Sequence, residues 1–330
     1  MPPVKDWQGN IFLYRRYLTH NFDKQGWEMS NNSKRKTILF LLSITIIIVL
    51  GSSFTIQATR GAAPLQITYI NVGQGDSILL RDPNGFTILV DGGKPGAGPT
   101  VVSYIKSKGI TSLYVILATH ADSDHIGGLI TVLQDASIAV HRVLYNGYAG
   151  STATWSDFVT AVTHKGLTLE AAQFPETMHL GALTVWVMNP ASGLGSPETN
   201  DASVVLKVIY GSKAFLFTGD ISSTIEATVI ARNTPLASDV LKVAHHGSAY
   251  SSSPDFLASV QPEEAVISVG TNTYGHPSAD TIARLQAAGA RVWRTDLNGN
   301  IIVNSDGIIF TISDIPIYDV YVPFLFKANQ

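Results

Sequence analysis

From about Pro64 the chain alternates short apolar runs with segments of helical spacing. LQITYINV, SILLRD and FTILVDGG predict strands separated by glycine-rich and Pro-Asn-Gly turns. PTVVSYIKSKG has apolar positions at helical spacing and stops at a glycine. LYVILATH then predicts a continuous buried strand with its polar residues gathered at the C-terminal end. A second series starts near Leu183, with LTVWVMNP, SVVLKVIYG and KAFLFTGD as strands, SSTIEATVIARN as a helix, and then DVLKVAHHGS. PDFLASV and TIARLQAAG predict two more helices, and EAVISVG, RVWRT, NIIVNS and GIIFTIS more strands. Ala171 to Met178 reads as a loop, and no fixed-period repeat is present. Mixed strands with flanking helices in both halves predict one layered α/β domain over residues 64–314, leaving 315–330 as a C-terminal extension.

The N-terminus follows a different pattern. Lys34, Arg35 and Lys36 precede an uncharged apolar run, which predicts a transmembrane anchor or a signal peptide over residues 37–58. A basic flank keeps the preceding end in the cytoplasm. The domain is therefore expected on the extracellular side of the cytoplasmic membrane, anchored or secreted. Residues 1–36 read as a cytoplasmic segment or as an over-long start, with Met29 a natural beginning.

Composition narrows the chemistry. The 330-residue chain is 45% hydrophobic, enough for a large core, and contains no cysteine. Disulfides and thiolate metal sites are excluded, so any metal must be held by nitrogen and oxygen. From residue 59 onward there are 15 Lys and Arg against 22 Asp and Glu, whereas the first 58 residues carry 7 against 3. So acidic a domain is not built to hold duplex nucleic acid by bulk electrostatics. Affinity for a phosphate substrate would have to come from metal ions.

The stretch THADSDHIGG, Thr119 to Gly128, sets two histidines and two aspartates directly behind an apolar strand. Asp91, Asp220 and the pair His245–His246 stand in similar positions, and ligands in open α/β sheets collect at such strand ends. Imidazole and carboxylate together suit divalent ions such as zinc or manganese.

THADSDHIGG resembles the HxHxDH signature of the metallo-β-lactamase superfamily, in a variant with aspartate at the middle histidine. NVGQGDSILL, FTILVDGG, FLFTGD, LKVAHHGSAYSS and VGTNTYGHPS follow in the order found in the metallohydrolase domain of competence-type DNA-internalisation proteins, a resemblance covering about residues 65 to 310. It implies a four-layer αββα sandwich with two mixed sheets and two divalent ions, zinc or manganese. It further implies His120 and Asp122 on one ion, Asp124 and His125 on the other, and Asp220 bridging them, with His245 or His246 completing the second site. Strand alternation lets only one of that pair face the site, and His245 is the expected ligand. His246, Ser248 and His276 are then the candidates for catalysis or substrate binding, and Asp91 for orienting the ligands through hydrogen bonds. The serines near SSSPDF also suit a helix cap, and Gln74 and Asp76 lie on a glycine-rich bend that reads equally as a hairpin.

Many members of the superfamily carry a further histidine where this chain reads VMNPASG, so Asn189 to Ser192 supply no imidazole. His141, His164 and His179 fall in the interval, but none has the matching context. That departure argues against a β-lactam substrate. The resemblance implies an exported metal-dependent hydrolase of phosphoester bonds, a DNA-uptake-type nuclease or phosphodiesterase. The alternatives are a surface phosphorylcholine-type or phosphomonoester esterase and a non-catalytic metal-binding protein. Implied partners are a phosphoester such as DNA, the membrane through the N-terminal segment, and a separate membrane channel, since the DNA-uptake proteins carry a channel region this sequence lacks. Oligomeric state is not legible.

Overall fold

Period-two alternation sorts strand side chains onto opposite faces, and in the computed structural model, which describes residues 63–193 and 199–314, the strands close into two sheets. The expected segments 1–36, 37–58 and 315–330 lie outside the described residues. Among the described residues no helix is long and apolar enough to cross a membrane.

In chain order the strands are β1 (Leu65–Tyr69), β2 (Ile78–Arg81), β3 (Thr87–Val90), β4 (Ser112–Ala118), β5 (Ala139–Tyr145), β6 (Leu169–Ala171), β7 (Glu176–Leu180) and β8 (Leu183–Asn189). They continue as β9 (Val205–Tyr210), β10 (Lys213–Phe217), β11 (Val240–Lys242), β12 (Glu264–Ile267), β13 (Arg291–Arg294), β14 (Ile301–Ser305) and β15 (Phe310–Ser313). The first sheet runs β15-β14-β1-β2-β3-β4-β5-β6 and the second β13-β12-β11-β10-β9-β8-β7. Both are mixed: β3 to β6 are parallel in one and β10 to β13 in the other, with antiparallel pairs beside them. The helices are α1 (Gly98–Ser107), α2 (Ser123–Gln134), α3 (Ala153–His164), α4 (Ser223–Ala231), α5 (Pro254–Val260), α6 (Ala279–Ala287) and the short α7 (Thr295–Asn298).

Three apolar layers result. Ile67, Leu80, Val90, Val115, Leu117, Val208, Phe215, Phe217 and Val240 fill the space between the sheets. Leu89, Ile116 and Ala118 face α1 to α3 through Val101, Ile105, Ile126, Leu129 and Phe158. Leu216, Leu241 and Ile267 face α4 to α6 through Val229, Phe256, Leu257 and Leu285. The architecture is a four-layer αββα sandwich with two mixed sheets, as expected.

Two regions differ from the sequence reading. Ala171 to Met178 is not all loop: β6 ends at Ala171 and β7 begins at Glu176. β7 is an edge strand of which only Met178 and Leu180 are buried, so its alternation is too short to register. β5 and α3 also emerge between the two patterned halves. Helix α3 buries Phe158, Ala161 and Val162, a stripe of three among polar neighbours.

The loop that leads into α5 depends on one buried acid of α4. Glu226 has no exposed surface and accepts the backbone N–H groups of Ser252 and, at 2.8 Å, Ser253. Ser253 itself caps α5, accepting Phe256 N–H at 3.4 Å. An amide has a single acceptor oxygen for these two donors. Glu226→Gln is expected to lower the unfolding free energy by roughly 1–3 kcal/mol, read from urea denaturation; a shift in midpoint too small to resolve would refute this.

Candidate metal centre

The parallel strands β3, β4, β10 and β11 end on one edge, and the charged side chains of the cage extend from those ends. Asp91 follows β3 in a left-handed conformation (φ 56°) and is fully buried. Its Oδ1 accepts Thr119 N–H at 2.8 Å, and its Oδ2 accepts Thr119 Oγ1–H at 2.7 Å and lies 2.8 Å from His125 Nδ1. An ionised Asp91 can only accept from this imidazole, so Nδ1 carries a proton and Nε2 is the nitrogen turned toward Asp220. That Nε2 lies 3.2 Å from Asp220 Oδ2.

His120 follows β4. Its Nδ1 meets Thr119 Oγ1 at 3.0 Å and Ser203 Oγ at 3.2 Å, and its buried Nε2 has no hydrogen-bond partner. Ser203 Oγ also accepts Asp220 N–H at 3.0 Å, so one hydroxyl positions both the ring and the carboxylate. Asp122 precedes α2, its Oδ2 3.7 Å from His120 Nε2 and its side chain 42% exposed. Asp124, in the first turn of α2, lies 3.7 Å from His246 Nε2.

His245 and His246 exchange the places expected of them. After β11 the backbone leaves the strand for a 3₁₀ turn over Ala244–Gly247, with φ of 50° at His245 and 53° at His246. Strand alternation stops at Lys242, so it does not govern the pair. His246 is the buried ring. Its Nδ1 donates to Ser268 O at 2.8 Å, and its Nε2 is 3.2 Å from Asp220 Oδ2, without a hydrogen-bonded partner. His245 stands outside, edge-on to His276 with ring centroids 5.2 Å apart. Left-handed backbone at three non-glycine residues around one cage is the kind of strain that clusters at functional sites.

The donor atoms of His120, His125 and Asp220 lie within 4.8 Å of one another, as do those of Asp124, His125 and His246 and those of Asp76, Asp220 and His246. Asp122 and His245 join none of these groups.

Two members of the cage escaped the sequence reading. Asp76 is 1% exposed, with Oδ1 3.7 Å from His246 Nδ1 and Oδ2 3.8 Å from His125 Nδ1. Gly75 before it has φ 128°, and a Cβ there would strike the Asp124 carbonyl oxygen, so NVGQGDS is the loop of the β1–β2 hairpin and also passes close against α2. Lys242 is also 1% exposed; its ammonium pairs with Asp76, donates to Gly219 O at 2.9 Å and lies 3.5 Å from Asp220 Oδ1. A lysine inside the apolar strand DVLKV was the available signal.

Burial drives the His120 pKa well below its usual value, leaving a neutral ring. Burial pushes His125 the same way, but Asp220 and Asp91 outweigh it and raise it well above. Burial would raise Asp220; His246, His125 and Lys242 instead hold it well below the usual carboxylate range.

The other candidates sit apart from the donor groups. Ser248 is buried and its Oγ accepts Tyr250 N–H at 3.3 Å. His276 keeps a buried, unpartnered Nδ1 and is lowered by burial and by His245. His141 meets Ser112 Oγ at 2.9 Å, His179 lies on the edge strand β7, and His164 ends α3. Asn189 donates to the carbonyls of Asp201 and Ser203, both at 2.9 Å, which anchors the segment that carries Ser203.

A sequence profile described as the metallo-beta-lactamase superfamily matches residues 70–271. The chain is 27% identical to ComE operon protein 3 of Bacillus subtilis (strain 168) over 347 aligned positions, covering 94% of this chain and 44% of that protein. It is 31% identical to Competence protein ComA of Neisseria gonorrhoeae over 236 positions, covering 71% of this chain and 31% of that one. The chain thus spans less than half the length of these relatives. Among solved structures, the metallo-beta-lactamase fold protein YhfI from Bacillus subtilis aligns with 14% identity and a TM-score of 0.47, over 72% of this chain and 99% of that one.

Proposed function

The chain belongs to the metallo-β-lactamase superfamily, and we propose that it is a metal-dependent hydrolase of phosphodiester bonds, with DNA as substrate, acting on the extracellular side of the cytoplasmic membrane. The observation that carries this reading is the set of imidazole Nε2 atoms of His120, His125 and His246 gathered with Asp220 in a buried cage. Those of His120 and His246 have no hydrogen-bonded protein partner. Buried polar atoms are rarely left unpaired without a ligand to satisfy them. The nitrogen and oxygen donors fit zinc or manganese.

His120, His125, His246, Asp124 and Asp220 would hold the metal, with Asp122 at the open side. A bound divalent ion would supply a water ionised near neutral pH and a positive centre for the phosphoryl oxygens. Asp91 and the Ser268 carbonyl hold the His125 and His246 rings with Nε2 available. His276, with its unpartnered Nδ1 beside His245, is the residue proposed to bind a phosphate oxygen. The names of the relatives, a competence protein among them, support DNA as the ester. With 22 acidic against 15 basic residues from position 59 onward, affinity for that polyanion rests on bound cations.

Metal-loaded protein incubated with single- and double-stranded DNA, phosphorylcholine and a simple phosphodiester separates the readings. DNA cleavage under zinc or manganese is expected. Turnover of phosphorylcholine with intact DNA would move the assignment to a surface esterase, and bound metal without any turnover to a binding protein. Cleavage of the domain by protease added to intact cells checks the location.

A further inference from the structure

The floor of the cage contains a cation of its own. Lys242 is the last residue of β11, where Val240 faces the layer between the sheets and Leu241 the helices, so its side chain enters the inter-sheet layer from the protein side. At 1% exposure it is out of reach of a substrate entering from solvent. Its ammonium pairs with Asp76, donates to Gly219 O at 2.9 Å and stands 3.5 Å from Asp220 Oδ1. The other oxygen, Asp220 Oδ2, lies 3.2 Å from each of the Nε2 atoms of His125 and His246. The carboxylate is thus divided, one oxygen toward a fixed positive charge and the other toward the imidazoles.

We infer that Lys242 is the internal counter-charge of the metal cage: it occupies the Asp76–Asp220 flank as a permanent cation and so limits how many divalent ions the cage retains and how tightly. This rests on the metal-binding reading above and extends it. Buried beside Lys242 are three carboxylates, those of Asp76, Asp91 and Asp220. Asp76, Asp220 and His246 form a complete donor group, and the ammonium pairs with two of its three members. A like charge a few ångströms from a bound ion weakens its binding strongly in a medium of low dielectric. Without Lys242 the same carboxylates are free to take a metal ion in its place.

The test is metal stoichiometry and affinity, not turnover. Wild-type chain and the variants Lys242→Met, Lys242→Gln and Lys242→Arg are produced in manganese-supplemented medium and analysed for metal per chain. Equilibrium dialysis against Mn²⁺, read by its paramagnetic resonance signal, then gives affinity. Both neutral variants are expected to retain one additional ion per chain or to bind Mn²⁺ at least about tenfold more tightly, while Lys242→Arg keeps the wild-type stoichiometry. Equal or weaker binding by both neutral variants overturns the inference. If one of them fails to fold, the other decides. Wild-type protein that binds no metal would instead refute the metal-binding reading itself, so the two failures are distinguishable.

Discussion

Asp220→Ala is expected to strip the protein of metal and to lower the proposed hydrolysis by roughly a thousandfold or more, since the ion that would supply an ionised water is lost. Asp220 Oδ2 is the point where the imidazoles of His125 and His246 converge, 3.2 Å from each Nε2. Removing the carboxylate also leaves Lys242, among the described residues, with Asp76 as its one carboxylate partner, a second source of damage. The histidine pair sharpens the test. His246→Ala is expected to lose metal as Asp220→Ala does, whereas His245→Ala keeps its metal, because His245 contributes to none of the donor groups. Elemental analysis of folded variants checks this. Wild-type metal content in Asp220→Ala, or loss in His245→Ala but not His246→Ala, would disprove the assignment.

Gly128→Ala is expected to cost at least about 3 kcal/mol of stability, the upper end of ordinary overpacking. A Cβ at Gly128 would fall on the carbonyl oxygen of Gly92, and the obstacle is backbone on both sides, with no rotamer to relieve it. The contact is laced by hydrogen bonds: Gly128 N–H donates to Gly93 O at 2.8 Å, and Gly92 N–H donates to His125 O at 2.7 Å. It joins α2, which carries Asp124 and His125, to the turn after β3, which carries Asp91. Forcing the two apart therefore strains the cage as well as the packing, and weaker metal retention should accompany the lost stability. Chemical denaturation of the metal-free variant measures the first effect and dialysis the second. A stability change under about 1 kcal/mol would show that α2 can shift freely.

The outline of the cage was legible because its parts are local. Each apolar strand announces its own end, and Asp91, His120, Asp220 and the histidine pair stand one to four residues beyond β3, β4, β10 and β11. The order of those motifs also identified the superfamily, and the mixed strand and helix pattern the layered fold. β5, β7 and α3 were not legible, because short or partly exposed elements carry too few buried positions to set a period.

What the chain's order of residues decided, then, is which strand ends bear imidazole and carboxylate, and that the pieces form an α/β sandwich; hydrophobic alternation is written within a few residues of itself. Which of two adjacent histidines turns inward was decided by a left-handed turn after β11, whose backbone no longer obeys the strand period. That Asp76 and Lys242 belong to the same cage was decided by packing between the two sheets, which brings residues 166 positions apart into an ion pair. Contacts of that range depend on how the layers close over one another, and no local pattern of side chains records it.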